Sequence, residues 1–259
     1  MSNKYTNTNY QRIQAISSHW LISCLKSPAE CWRKHLDPNR LTPESTKSLN
    51  LGAAVHGLAL TPQQFPQEFT VVDYERRSKA GKAHYANLTA TGKTVLKPSE
   101  LEHAKAIVMA LKENKDARRW LIYGKKERTV IQPRTCGLLP LKGRLDVHDE
   151  AHRTIVELKT THDINLIPLA LQRYHYFLSA AFYKNLVRGQ AVVMIFVQTT
   201  PPHEVEVMQL ERSQLREGKE QYEDALERFD TCWKSGIWPA SEQLQDFDDD
   251  PLFMPLSQP

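Results

Sequence analysis

A series of strand-like segments interrupted by one long helical pattern most constrains how this chain can fold. The segments RTVIQ, LPLKGRLDVH and RTIVELKTT precede a helical pattern over residues 166–188, and AVVMIFVQT and EVEVMQL follow it. Short apolar or alternating runs bounded by turn residues are typical of strands. The pattern therefore predicts an α/β core over residues 123–240.

The first half of the chain has mostly helical patterns. Residues 13–36 predict two short helices broken at Pro28, and a third helix is expected to begin near Ser48 and to run to Pro62. Residues 73–98 contain six Lys and Arg residues and two glycines, and they predict a loop-rich, basic stretch.

The next helix has a clear start signal, because Ser99 and Glu102 have the spacing of a capping box. Its expected buried stripe consists of Leu101, Ala104, Ile107, Val108 and Leu111. A last helix is predicted from Ser213 to Lys234, where Gly236 and Pro239 end it. We therefore expect one domain over 13–240, with a mostly helical part over 13–122, a flexible N-terminus over 1–12 and a disordered tail over 241–259.

Charge and cysteine usage restrict the class of protein. The chain has 259 residues and a formal net charge of +4, although the tail concentrates four aspartates: Asp246, Asp248, Asp249 and Asp250. The rest of the chain is therefore more basic than the total indicates, which favours a polyanionic partner such as nucleic acid. The four cysteines form no CxxC pair, and the N-terminus lacks the apolar segment of a signal peptide. We expect a reduced, cytoplasmic protein without a membrane partner.

The segment GRLDVHDEAHRTIVELKTT, residues 143–161, places ionisable groups inside strand-like sequence. If residues 150–153 form the turn of a hairpin, Asp146 lies directly opposite Glu157, and directly opposed residues share a face of the sheet. Lys159 lies two residues after Glu157 and therefore on that same face. The spacing alone thus brings two carboxylates and an amine together.

Two carboxylates at this separation repel each other unless a cation neutralises them. A hard divalent cation such as Mg²⁺ prefers carboxylate oxygens, and it can activate water for attack on phosphorus. The alternative is a surface ion pair, Glu157 with Lys159 or Asp146 with Arg144. The apolar flanks of Glu157 favour the metal hypothesis, because unpaired acids are costly in a half-buried strand.

Several segments, in the same order, resemble the RecE-type exonucleases of the PD-(D/E)xK nuclease superfamily. They are ISSHWLISCLKSPAECWRKHL, LNLGAAVHGLAL, RRSKAGK, TATGKTVL, KGRLDV, IVELKTT, AAFYKN and GIWPA. The resemblance spans residues 13–240. It implies a restriction-endonuclease-like α/β core, in which a mixed central sheet is flanked by helices, with an N-terminal helical elaboration.

The resemblance also implies roles for individual residues. Asp146 and Glu157 would be metal ligands together with the Leu158 backbone carbonyl, Lys159 would be the catalytic lysine, and His56 in LGAAVH would contribute to the metal site. Taken alone, a histidine on such an apolar helix is more often a core residue.

Accessory residues are matched less closely. Glu127 in KKERTV corresponds to an acid on the preceding strand, with a solvated charge as the alternative. The family helix carries Gln-x-x-x-Tyr. Here Tyr183 is present, but Ser179 occupies the glutamine position and Gln172 lies two turns earlier. Either Gln172 or Ser179 could face the site.

The basic stretch supplies the candidate DNA contacts, which are Arg76, Arg77, Lys79, Lys82 and Lys93. Gly81 and Gly92 are expected to let backbone amides approach phosphates, and the alternative is a solvated loop.

The resemblance implies a Mg²⁺-dependent exonuclease, with Mn²⁺ as a substitute, that degrades linear duplex DNA from the 5′ end and leaves 3′ single strands for recombination. It further implies a ring-shaped homo-oligomer and a RecT-type single-strand annealing partner. The alternatives are a RecB- or CRISPR-adaptation-type nuclease and a non-catalytic DNA-binding protein. The first alternative often holds an iron–sulfur cluster, which the cysteine spacing does not favour.

Overall fold

The computed structural model describes residues 7–41, 45–73, 77–135 and 137–240. The helices are α1 Asn7–Arg12, α2 Ser18–Lys26, α3 Pro28–Cys31, α4 Lys47–Leu60, α5 Phe65–Glu68, α6 Lys79–Thr89, α7 Pro98–Glu113, α8 Lys115–Ile122, α9 Ile167–Arg173, α10 Tyr176–Leu186 and α11 Arg212–Ser235. The strands are β1 Phe69–Val71, β2 Thr94–Leu96, β3 Lys125–Gln132, β4 Leu141–Asp149, β5 Thr154–Thr161, β6 Ala191–Gln198 and β7 Val205–Gln209.

The five strands β3 to β7 form one mixed sheet in the order β3-β4-β5-β6-β7. β5 and β6 pair in parallel, while the other three neighbouring pairs are antiparallel. A parallel pair needs a crossover connection, which α9 and α10 supply between β5 and β6. This sheet confirms the predicted mixed α/β core.

Helices cover both faces of this sheet. One apolar cluster joins Leu145 and Ile155 to residues of α2, α10 and α11, among them the fully buried Phe229. The second cluster joins Val156 and Leu158 to residues of α4, α7 and α8. The alternate residues of β5 thus reach opposite clusters, as the period of a strand requires. The predicted arrangement of a sheet flanked by helices is confirmed.

The predicted loop over residues 73–98 is wrong in part, because it contains a helix and a strand. Ser78 caps α6 by accepting a hydrogen bond from the Gly81 N–H at 3.0 Å. β2 pairs in parallel with β1, which the sequence analysis did not predict. Both strands are only three residues long, so their period-2 pattern is too short to recognise.

Two helix predictions also need correction. The cap of α7 lies two residues earlier than predicted, since Glu100 accepts a hydrogen bond from the Lys97 N–H at 2.8 Å. The helix predicted over 166–188 is two helices, because His175 adopts a left-handed conformation with φ = 50°. The apolar pattern continues across this break, and for that reason periodicity did not reveal it.

The folded part of the chain begins before the predicted boundary at residue 13. α1 ends at Arg12, Tyr10 is buried, and the buried Lys142 ammonium donates to the Tyr10 and Ile13 carbonyls at 3.0 and 2.9 Å. The acidic tail over 241–259 lies outside the described residues. Across the described residues, every helix is too short or too polar to span a lipid bilayer.

Candidate active site

Three acidic residues lie in one row across β3, β4 and β5. The β3–β4 pairs on either side of Asp146 are Lys126 with Val147 and Arg128 with Leu145, which places Glu127 opposite Asp146. The β4–β5 hairpin pairs Asp149 with Thr154, as predicted, so Glu157 is the register neighbour of Asp146 on the other side.

The sheet is interrupted at Asp146 itself. The pairing of β4 with β5 ends at Val147, and the pairing of β3 with β4 omits Glu127 and Asp146. In place of a ladder bond, Asp146 Oδ2 accepts a hydrogen bond from the Leu158 N–H at 2.7 Å. Leu145 and Val147 also belong to opposite apolar clusters, although residues two apart in a regular strand share a face. The predicted direct pairing of Asp146 with Glu157 is therefore replaced by an opening of the sheet.

His56 reaches this opening from α4. Its Nδ1 atom lies 3.5 Å from Asp146 Oδ1. Ligand atoms of His56, Glu127 and Asp146 all lie within 4.8 Å of one another, a set we call the metal-binding trio. α4 buries Ala54, Val55 and Leu60 against the sheet, and this packing directs His56 toward the acids. The structure thus unites one carboxylate and one histidine of the predicted metal set with Glu127, a predicted accessory residue.

Glu157 and Lys159 form the other side of the site. Lys159 Nζ lies 3.1 Å from Glu157 Oε2, and it also lies 5.7 Å from the centre of the Tyr176 ring. Glu157 Oε1 is buried without a hydrogen-bond partner among the described residues. A buried carboxylate oxygen without a partner is costly, and a bound cation would satisfy it. The donor set of carboxylates and one imidazole fits a divalent metal.

The electrostatics of the site are those of closely spaced acids. Burial and the adjacent Asp146 carboxylate raise the pKa of Glu157 to about 7. Burial opposes ionisation of Asp146 as well, but His56, Lys159 and the Leu158 N–H outweigh it and lower the pKa of Asp146. Burial alone would lower the pKa of Lys159, yet Glu157 and Asp146 raise it above its ordinary value. The site therefore keeps a permanent ammonium beside one acid that holds its proton near neutral pH.

The accessory residues separate into two groups. Tyr183 is buried, and its hydroxyl lies 3.1 Å from Ser18 Oγ. Burial and the nearby Glu157 carboxylate raise the pKa of its hydroxyl, which places it beside the site. Ser179 is half-buried on the same helix, whereas Gln172 is exposed on α9, before the break at His175. Gln172 and Ser179 therefore lie on different helices.

Comparison with known proteins identifies the fold. The family model "PDDEXK-like domain of unknown function (DUF3799)" matches residues 17–248. The chain belongs to this family. PD-(D/E)xK nucleases use divalent metals, and the residues gathered around Asp146 fit that use.

A solved structure supports the same fold. A crystal structure of a candidate exonuclease from Eubacterium rectale is 14% identical, with a TM-score of 0.67 over 98% of this chain and 96% of that one. A phage-related exonuclease from Haemophilus somnus 129PT is 13% identical, with a TM-score of 0.37 over 89% of this chain and 100% of that one. No curated protein matches the chain. By family and fold, the chain is a PD-(D/E)xK-like protein.

The predicted DNA contacts lie in or near α6. Arg77, Lys79 and Lys82 are exposed, and α6 buries none of its residues. Lys93 Nζ donates to the Pro66 carbonyl at 2.9 Å, and Arg76 lies outside the described residues.

The two glycines of this stretch do not have free amides. The Gly81 N–H is bonded to Ser78 and the Gly92 N–H to the Thr89 carbonyl. The expectation that these amides approach phosphates is therefore wrong.

Two site residues were not singled out from the sequence. Arg144 was considered only as an ion-pair partner of Asp146, but its partner is Glu127, with Nε 2.5 Å from Oε2. Tyr176 contacts Lys159, and its place at the start of α10 depends on the unpredicted break. Spacing offers one signal for Arg144, since residues 144 and 146 are two apart and would share a face in a regular strand.

Proposed function

We propose that this protein is a Mg²⁺-dependent exodeoxyribonuclease, able to use Mn²⁺, that degrades linear double-stranded DNA. The observation that carries the proposal is the row Glu127, Asp146 and Glu157, joined by His56 and flanked by the half-buried Lys159. Acids crowded to this extent are costly without a cation. Their arrangement fits metal-assisted hydrolysis of a phosphodiester.

His56, Glu127 and Asp146 would hold the ion, and the unpartnered Glu157 Oε1 atom and the Leu158 carbonyl are the further candidate ligands. When bound, the ion would activate a water and offset the negative charge that develops on the phosphate. Asp146 is pre-oriented for this task, because the Leu158 N–H holds one of its oxygens.

Lys159 provides the positive charge of the site. Its raised pKa keeps it protonated at neutral pH, so it acts as a donor to the attacking water or to the phosphate oxygens rather than as a base. The Glu157 carboxylate and the Tyr176 ring restrict the position of its ammonium group. Fixed donors of this kind contribute to the rate because little reorganisation is needed during the reaction.

Direction and biological role are further parts of the proposal. Resemblance to RecE-type enzymes favours 5′-to-3′ degradation, 3′ single-stranded products for recombination, a ring-shaped homo-oligomer and a RecT-type annealing partner. The exposed cations Lys79 and Lys82 on α6 are suited to salt-dependent contacts with the DNA backbone.

The test compares linear duplex labelled at the 5′ or the 3′ end with covalently closed circular duplex, each with Mg²⁺ or EDTA. We expect Mg²⁺-dependent loss of linear DNA, early release of the 5′ label and intact circles. Asp146→Asn should abolish the loss, whereas Asp224→Asn, which changes an exposed acid on α11 paired with Arg228, should not. Cleavage of circles would indicate an endonuclease, and DNA binding without any cleavage would indicate a non-catalytic protein.

A further inference from the structure

Arg144 forms a largely buried ion pair inside the acid-rich site. Its Nε atom lies 2.5 Å from Glu127 Oε2, and each side chain is 12% exposed. Arg144 lies on β4 opposite Thr129 of β3, two residues before Asp146. The guanidinium is therefore placed beside the metal-binding trio and contacts one of its members.

The backbone of Glu127 is strained. Its φ of 49° lies in the left-handed region, which is unusual for glutamate, and it occurs in the middle of β3. Such a conformation costs on the order of 1–3 kcal/mol and persists only where surrounding contacts hold it. The β3–β4 ladder provides no such contact at this point, because it omits Glu127. The ion pair with Arg144 is a contact of the required kind.

An arginine suits this position for two reasons. It remains charged at every relevant pH, so its attraction for the Glu127 carboxylate does not depend on its own protonation. It also has no lone pair to offer, so it cannot replace Glu127 as a ligand. Lys159 is another cation of the site. Its Nζ atom lies 3.1 Å from Glu157 Oε2, at the opposite end of the row of acids.

We propose that Arg144 is a positioning residue that holds the strained Glu127 within the metal-binding trio. This inference rests on the proposed metal site, although not on DNA cleavage. The effect of Arg144 on metal affinity distinguishes the positioning role from two other roles. A contact with DNA phosphate would not affect metal binding in the absence of DNA. A simple cation near the site would repel the metal, so its removal would tighten metal binding.

The experiment is a double-mutant cycle on Mn²⁺ affinity, measured by calorimetry without DNA. We expect Arg144→Met to weaken Mn²⁺ binding by about 10–100-fold, the usual effect of losing an outer partner of a ligand. Glu127→Gln, which removes a charged ligand, should weaken it at least as much. The double variant should bind no more weakly than Glu127→Gln alone, because Arg144 then has no carboxylate to position. Arg144→Lys, which keeps the charge, should recover part of the affinity.

Arg134→Met is the matched control, because Arg134 forms an ion pair of similar burial with Asp230, on α11. It should lower stability without changing Mn²⁺ affinity.

Unchanged or tighter binding by Arg144→Met, or additive losses in the double variant, would overturn the proposal. If Arg144→Met does not fold, the same cycle is run with Arg144→Lys, and its effect must vanish in the Glu127→Gln background. Failure of the wild-type protein to bind Mn²⁺ would overturn the metal site and this proposal together. Normal Mn²⁺ binding without nuclease activity would overturn only the function.

Discussion

Replacing Glu157 with Gln should make the stability of the metal-free protein less dependent on pH. The Glu157 carboxyl has a pKa of about 7 in the folded protein, compared with an ordinary value of 4.5. The folded state therefore binds more protons than the unfolded state between these values, and stability falls as the pH rises through this window. Between pH 5 and pH 8 the loss amounts to roughly 2–3 kcal/mol. Gln cannot ionise, so the variant should not show this loss.

The assay is urea unfolding in EDTA at pH 5, 6, 7 and 8, followed by circular dichroism. The free energy of unfolding of the wild type relative to Glu157→Gln should fall by roughly 2–3 kcal/mol across this range. Glu206→Gln, an exposed change on β7, should follow the wild type. A constant difference between wild type and Glu157→Gln at all four pH values would refute the reasoning that burial and Asp146 retain the proton.

Three further predictions concern the metal and DNA. Asp146→Ala and Lys159→Ala should each abolish Mg²⁺-dependent digestion of linear duplex, with unchanged circular dichroism, and measurable digestion by both variants would end the catalytic assignment. Wild-type affinity for Mn²⁺ should rise as the pH increases through about 7, because the acid must lose its proton to bind metal; a flat calorimetric profile would contradict this. Changing both Lys79 and Lys82 to Gln should lower the slope of log affinity for DNA against log salt by about 2, and an unchanged slope in filter binding would exclude these contacts.

Local sequence was sufficient to predict the hairpin that carries the site. The turn and the pairing of Asp149 with Thr154 follow from a short connection between two strands, which is a local property. The same applies to the helix that carries His56 and to the stripe of α7, since both depend on apolar periodicity within one segment.

The break at His175 and the exposed helix α6 could not be predicted in this way. The left-handed His175 separates α9 from α10 without interrupting the apolar pattern, so Gln172 and Ser179 were assigned to one helix. α6 buries none of its residues and has no apolar stripe that could reveal it. Both features depend on contacts or backbone states that composition does not encode.

The sequence by itself determined which chemical groups are available and that Asp146, Glu157 and Lys159 lie near one another, because adjacent strands impose this within twenty residues. Only the tertiary structure decided that Glu127 and His56 join Asp146, and that Glu157 pairs with Lys159. The reason is physical. The opening of the sheet at Asp146 is accompanied by the unusual backbone of Glu127. His56 lies about ninety residues before Asp146 in the sequence, and the packing of α4 against the sheet brings it to the site.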